Sequence, residues 1–478
     1  MPLGAAKVAL LGAAGSGGEV GWVVEPSSSS MGDGWVYGIA LDDEENVWGT
    51  VLSPSNSELP LFQVLADGTA GASNNWKSID PVYGSAYGRG VYWTGSKIVV
   101  TGDTYHTTAT HRSTMVNCTP GTLIQDWDNS LSYSTADTYQ YLTPNAYKAG
   151  ESSAYGCSYA YEASRGSYSA LMYKYSISDG SREVIDGSNY GFFAYNLYAQ
   201  TWYPSSPILT EVSGDQWCFM AIRTGSAGMF GYAGLEVGTT TYDRRFYQLD
   251  GAGGGYSGGL AECDATYMYM TWGDSAQKNV QLVKVNKSTG VIDWQREIGA
   301  TNATNIQSVA NPVVDSSGNI YVAWTQYDTD NIIDTSYRTS WAKWNSSGTL
   351  QTVNGSTMKS FFCSPGHGQP SDVSQALLNS DGSFLYLCGK TNSPYDPYIL
   401  KLPTDGSGID DSGSSLSGNT DGTYYYRSDI PVTEGAGTMV YNSQYGTVTS
   451  SAQPTQGTNP VIDATAAGSP VVRLDELA

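Results

Sequence analysis

One strand pattern recurs seven times along the chain, and this internal repeat limits the available folds more than any other feature. The unit is an apolar strand, a turn of Asp, Gly and Asn, a second apolar strand with aromatics, a polar gap, and a third strand ending in a Gly turn. The clearest copy joins Asn311-Pro-Val-Val-Asp-Ser-Ser-Gly-Asn-Ile-Tyr-Val-Ala-Trp324 to Ser340-Trp-Ala-Lys-Trp-Asn-Ser-Ser-Gly-Thr-Leu350. Asp315 to Asn319 has hairpin-turn chemistry, and Ile320 to Trp324 alternates with the period of a half-buried strand. Six relatives pair residues 39–48 with 61–68, 91–100 with 114–121, 154–161 with 171–180, 208–220 with 245–251, 260–270 with 282–290, and 376–387 with 398–406.

A small sheet of this kind cannot bury both of its faces alone. Packed radially, each sheet covers its neighbours, and closing the ring removes the open ends. The repeat therefore predicts an all-β fold, a seven-bladed β-propeller over residues 32–405. A short N-terminal anchoring arm (1–31) precedes it, and a Gly/Ser linker with a β-rich C-terminal extension (406–478) follows. Stacked β-sandwiches, the rival arrangement, do not require one pattern seven times. Alone, the two flanking segments bury too little apolar surface to offset their ordering entropy, so they need a partner surface.

Composition agrees with short strands and polar turns. The chain holds 56 Gly and 36 Tyr, and only 14 % of its residues are charged. No stretch sustains a 3.6-residue apolar period, which argues against long helices. The net charge of −22 and the lack of a Lys/Arg stripe exclude phosphate-backbone binding, so nucleic acid is not an expected partner. No run approaches the roughly 18 apolar residues of a membrane-spanning helix. Met1 to Gly18 loosely imitates a signal peptide, but Gly12 breaks its short apolar run, and it reads as an arm.

The residues that could carry chemistry are few. His106 and His111 share a connection between blades, with no third ligand nearby. Cys363 and His367 could form a nucleophile and base, but their neighbourhood is a turn-rich loop. Asp42-Asp-Glu-Glu45 lacks the alternation and the Gly of a calcium loop, and reads as a solvated turn. Asp315, Ser317 and Asn319, like Asn379, Asp381 and Ser383, are closer to calcium-loop text, but their recurrence at one position is explained by turn geometry. Gly251 to Gly259 lacks the Lys-Ser/Thr of a phosphate loop and reads as a linker. The six cysteines, Cys118, Cys157, Cys218, Cys263, Cys363 and Cys388, are scattered singly. Cys157, Cys218, Cys263 and Cys388 read as small core hydrophobes. Aromatics in Tyr190–Tyr195 and Tyr198–Tyr203 read as structural packing, with a glycan-contacting surface as the alternative for both. No catalytic, cofactor-binding or metal residue is assigned, and the chain is expected to work by binding and assembly, not as an enzyme.

The copies, particularly Asp315-x-x-Gly318-Asn319-Ile-Tyr-Val322, resemble the β-propeller repeats of bacterial and phage surface proteins over about three quarters of the chain. Met1-Pro-Leu-Gly-Ala-Ala-Lys7 resembles the N-terminus of structural proteins of marine tailed phages. The resemblance implies a virion structural protein, a tail component of fibre, nozzle or spike type. It would be assembled in the host cytoplasm and released by lysis. Its partners would be other tail proteins, copies of itself, and a host-surface glycan or protein, without membrane insertion. A bacterial cell-surface binding propeller is the alternative within the same fold. A propeller enzyme acting on glycans or with a quinone is another, but it needs convergent carboxylates, His and Arg that the sequence does not assemble.

Overall fold

The computed structural model describes residues 21–27 and, with interruptions in the connections, 34–406, together with six strand segments between 424 and 476. Its strands sort into seven antiparallel sheets. The first holds Trp35–Leu41, Val47–Leu52, Leu59–Val64 and Lys77–Asp80; the second holds Ala86–Trp93, Ile98–Tyr105, His111–Thr119 and Ile124–Tyr133. The third is built on Gln140–Leu142, Ser153–Glu162 and Ser167–Ser176, with Arg182–Glu183 and Gly191–Ala194 both paired to the last of these. The fourth runs Trp202–Val212, Asp215–Thr224, Met229–Glu236 and Tyr242–Leu249, and the fifth Gly255–Glu262, Tyr267–Asp274, Asn279–Asn286 and Ile292–Gly299. The sixth comprises Ala303–Val309, Ile320–Asp328, Ser336–Trp344 and Met358–Cys363. The seventh comprises Gln369–Leu378, Phe384–Asn392 and Pro397–Pro403.

Each sheet packs on the next, and the seventh packs on the first, so the ring closes. This is the expected β-propeller, and each of the seven sequence copies falls on its own sheet. Apolar cores lie between adjacent sheets. Trp48, Leu61, Val91, Val100 and Val116 join the first to the second, and Tyr321, Trp341, Phe361, Leu387 and Leu400 join the sixth to the seventh. Cys157 and Cys218 sit in the core between the third and fourth sheets, Cys118 between the first and second, and Cys388 between the seventh and first. All four are buried free thiols, and burial raises the pKa of Cys218 and Cys388. Cys263 lies outside the described residues.

In six of the seven sheets the first strand lies at the hub, where it meets strands of both neighbours. In six of the seven sheets its pairing is interrupted by a register shift, for example between Val36 and Gly38, Gly88 and Gly90, and Ser257 and Gly259. A bulge increases local twist, which lets sheets converge on one axis. Close approach there demands Gly: a Cβ on Gly38 would lie 2.6 Å from the Gly90 Cα of the next sheet.

Turn chemistry repeats with the sheets. A Gly in the left-handed region follows every third strand: Gly68, Gly121, Gly180, Gly238, Gly290, Gly348 and Gly406. The fourth copy corrects the sequence reading, which took residues 245–251 as the third strand and its turn. The third strand is Met229–Glu236 with Gly238, and Tyr242–Leu249 is the fourth. Both hairpins have strand-like text and a nearby Gly, so local pattern alone did not separate them.

The two ends of the chain tie the ring. Trp22–Ser27, within the segment read as an anchoring arm, is the fourth strand of the seventh sheet, pairing with Pro397–Pro403. Six described strands beyond residue 406 follow the rim back. Tyr424–Asp429 adds to the outer edge of the sixth sheet, Thr433–Gly435 to the fifth and Met439–Tyr441 to the fourth. Pro454–Gly457 then adds to the second, Asp463–Ala466 to the first, and Val471–Glu476 to Trp22–Ser27 in the seventh. The partner surface that the sequence demanded for these segments is the unpaired outer edge of the ring's own sheets.

Candidate functional site

The carboxylates singled out in the sequence act as turn and seam residues. Asp42 accepts bonds from the backbone N–H of Glu44 (3.0 Å) and Asn46 (2.9 Å) and from the Trp48 indole (3.0 Å). Asp43 accepts from the Trp93 indole of the second sheet (3.0 Å), while Glu45 accepts from Asn379 of the seventh (3.1 Å). This one turn thus touches the sheets on both sides. Asp315 closes the equivalent turn of the sixth sheet, accepting from the N–H of Ser317 and Asn319, the Asn319 amide and the Tyr321 hydroxyl. Asn379 accepts from the N–H of Phe384, and Asp381 from that of Ser383. The calcium-like text is a set of Asx turns. No group of three or more His, Cys, Asp or Glu arranged for a metal is found among the described residues.

Partial burial raises the Asp315 carboxyl, but its hydrogen bonds outweigh this and leave it below the usual carboxylate range. Replacing Asp315 by Ala strands several polar partners, and we expect a loss of about 1–3 kcal/mol in urea unfolding. Because the folded-state pKa is lowered, the carboxylate's contribution is present above the unfolded pKa near 4 and is lost as pH falls.

His106, His367 and most of Tyr190–Tyr203 lie outside the described residues, as do 251–254 of the Gly run. His111 opens a strand of the second sheet opposite Tyr105, and Cys363 ends a strand of the sixth opposite Tyr424. Gly255–Glu262 is the hub strand of the fifth sheet, so the second half of the Gly run is a strand and not a linker.

Two polar constellations were not legible in the sequence. At the hub, Arg89 pairs with the buried Asp103 (2.8 Å) and lies over the Tyr37 ring. Lys390 pairs with Asp372 (3.2 Å) and lies over the Trp35 ring, while the Trp35 indole donates to Ser374. Trp35 and Tyr37 are in contact, 4.8 Å between ring centres. The row Asp103, Arg89, Tyr37, Trp35, Lys390, Asp372 crosses from the second sheet through the first to the seventh, and every charge in it has a partner. It spans the seam where the ring closes.

Burial pushes the Asp372 carboxyl up to about 6, against the pull of Lys390. A raised folded-state pKa means that its contribution to stability is full below the unfolded value near 4 and is lost as pH rises through 6. Thermal melts of wild type and Asp372→Asn should therefore differ progressively between pH 4 and 6.5, with wild type losing ground as pH rises.

The second constellation is a cleft of about 360 Å³ between the fourth and fifth sheets. The hairpin after Trp202–Val212 forms its lip, with Ser213 and Gly214 both at positive φ. Asp215, Trp217 and Phe219 alternate along the next strand and so share one face. Glu236 stands directly opposite Trp217 on the third strand. Trp217 and Phe219 are stacked, with ring centres 5.6 Å apart and planes 12° from parallel. Lys287 and Ser288, from the third turn of the fifth sheet, form the far wall. The Lys287 side chain is buried, and its ammonium donates to Thr210 Oγ1 (2.6 Å) and the Glu211 carbonyl (3.0 Å). An aromatic wall, two carboxylates and two hydroxyls thus face one half-open space.

The closed ring of seven antiparallel sheets defines the class as a β-propeller. No protein-family model matches the chain, and no curated protein matches it in sequence. Solved structures similar to it include the Dos1 propeller, at 7 % identity and TM-score 0.43 over 79 % of this chain and 93 % of that one. A virginiamycin B lyase from Staphylococcus aureus is similar at 11 % identity and TM-score 0.41, over 79 % and 99 %. An oligogalacturonate lyase is similar at 7 % and 0.40, over 80 % and 91 %. At these identities the likeness reaches no further than the fold. It nevertheless corrects one expectation. The chain was expected not to be an enzyme, but propellers similar to it include lyases, so the ring itself does not exclude catalysis. Among the described residues, no helix is long and apolar enough to cross a membrane.

Proposed function

We propose that this chain is a structural propeller of a tailed-phage particle, a tail component that makes contacts with other tail proteins and with copies of itself, and that one face meets the host surface. The observation that carries this reading is the C-terminal segment, which adds a strand to the outer edge of six sheets in turn. Main-chain pairing at sheet edges joins segments without needing a particular side-chain sequence, and it serves between chains as well as within one. The resemblance of the repeats to those of bacterial and phage surface propellers, and of Met1–Lys7 to structural proteins of marine tailed phages, supports the same reading. The acidic chain has no basic stripe for nucleic acid, which suits a component outside the packaged genome.

Quantitative mass spectrometry of purified particles tests this. The chain should be present at a fixed ratio to other tail proteins and be retained through density-gradient purification. Its absence from particles, with normal levels in the lysate, overturns the proposal.

A further inference from the structure

We infer that the cleft between the fourth and fifth sheets is a binding subsite for one ring of a neutral carbohydrate. The cleft volume of about 360 Å³ lies at the small end of the roughly 300–1,000 Å³ typical of small-molecule sites, enough for a single ring and its substituents. Trp217 is half-buried and lines the space, and its stack on Phe219 holds the indole in place. A rigid aromatic plane of this kind accepts the C–H-bearing face of a sugar at little entropic cost. Asp215 is exposed at the lip and Glu236 is half-buried behind it. Ionised carboxylates only accept hydrogen bonds, so they match ligand hydroxyls, which donate. Ser213 and Ser288 add hydroxyls that donate or accept.

Charge sets the ligand class. Two carboxylates border the opening, whereas the Lys287 ammonium is buried and directed to Thr210 and Glu211. An acidic sugar or a phosphate would approach like charge at the lip. A hydroxyl-rich neutral ring meets no such penalty and uses both the aromatic wall and the acceptors. The architecture supports this placement, because the aromatic and acidic side chains alternate on one strand while the fifth sheet supplies the opposite wall.

This assignment builds on the host-contact part of the tail-protein reading. Its test uses the purified full-length chain, so failure to bind sugar and absence from particles are separate results. Titration calorimetry with neutral hexose and N-acetylhexosamine oligosaccharides should give saturable binding to at least one. Trp217→Ala should weaken that binding at least tenfold. Asp215→Asn, at an exposed hairpin position that leaves the core intact, should weaken it severalfold with an unchanged melting temperature. A sialylated oligosaccharide and a polyamine serve as the anionic and cationic probes. The inference is overturned if no neutral sugar binds, if only a charged probe binds, or if neutral-sugar binding is indifferent to Asp215→Asn and to Trp217→Ala.

Discussion

Deleting residues 1–27 is expected to abolish the folded ring, although the deleted segment precedes all seven repeats. Trp22, Val23 and Val24 are each no more than 3 % exposed, and they pack in the cores that join the seventh sheet to its two neighbours. Burying each such side chain contributes roughly 1.5–3 kcal/mol, and a folded domain holds only about 5–15 kcal/mol in total. Losing three of them, together with pairing to Ile399–Lys401 and to Val471–Glu476, removes a large share of that margin. The deleted chain should be found in inclusion bodies or with flat near-ultraviolet circular dichroism. A gentler version is Val24→Asp, which buries an unpaired carboxylate and should cost at least about 3 kcal/mol in denaturant unfolding.

The second large effect concerns the rim. Truncation after residue 406 strips the outermost strand from six sheets at once. Each would then present a row of unpaired N–H and C=O groups, the usual template for edge-to-edge association. The hub and the apolar cores remain, because they are formed by residues before 406. The expected product is a ring that keeps its β-sheet signature but self-associates, seen as high-mass species in light scattering. Supplying residues 407–478 in trans as a separate polypeptide should restore a single discrete species. A truncated chain that stays monodisperse would show that the rim strands add little.

The contrast between these parts explains what was legible in the sequence. The repeat was readable because the sheets reuse the same local devices: an Asx residue closing the first hairpin in four of them (Asp42, Asp264, Asp315 and Asn379), alternation in the second strand, and a left-handed Gly after the third. Asp315 and Asn379 could be assigned to turns from text alone, and the structure uses them so. Ring closure by Trp22–Ser27 was not readable, since Trp22, Val23 and Val24 pair with Lys401, Leu400 and Ile399, more than 370 positions away. The rim path was hidden for the same reason. Its strands are three to six residues long; their text reads as β-rich, but nothing in it names the sheet edge that each one joins. Within the cleft, Asp215 and Trp217 looked like ordinary strand text. Only the packing of the fifth sheet against the fourth places Lys287 and Ser288 opposite them.

Strands from before and after the seven repeats, Trp22–Ser27 and Val471–Glu476, meet in the seventh sheet and tie the ring. A cysteine pair at Ser27 and Val471, partners in the register of the two terminal strands, tests it directly. Mild oxidation of purified Ser27→Cys, Val471→Cys protein should give a monomeric species with faster mobility in non-reducing gels and a raised melting temperature, and reduction should reverse both. Neither single variant should show the shift. A disulfide that forms only between chains, or not at all while the protein remains folded, would contradict the closed, self-tied ring.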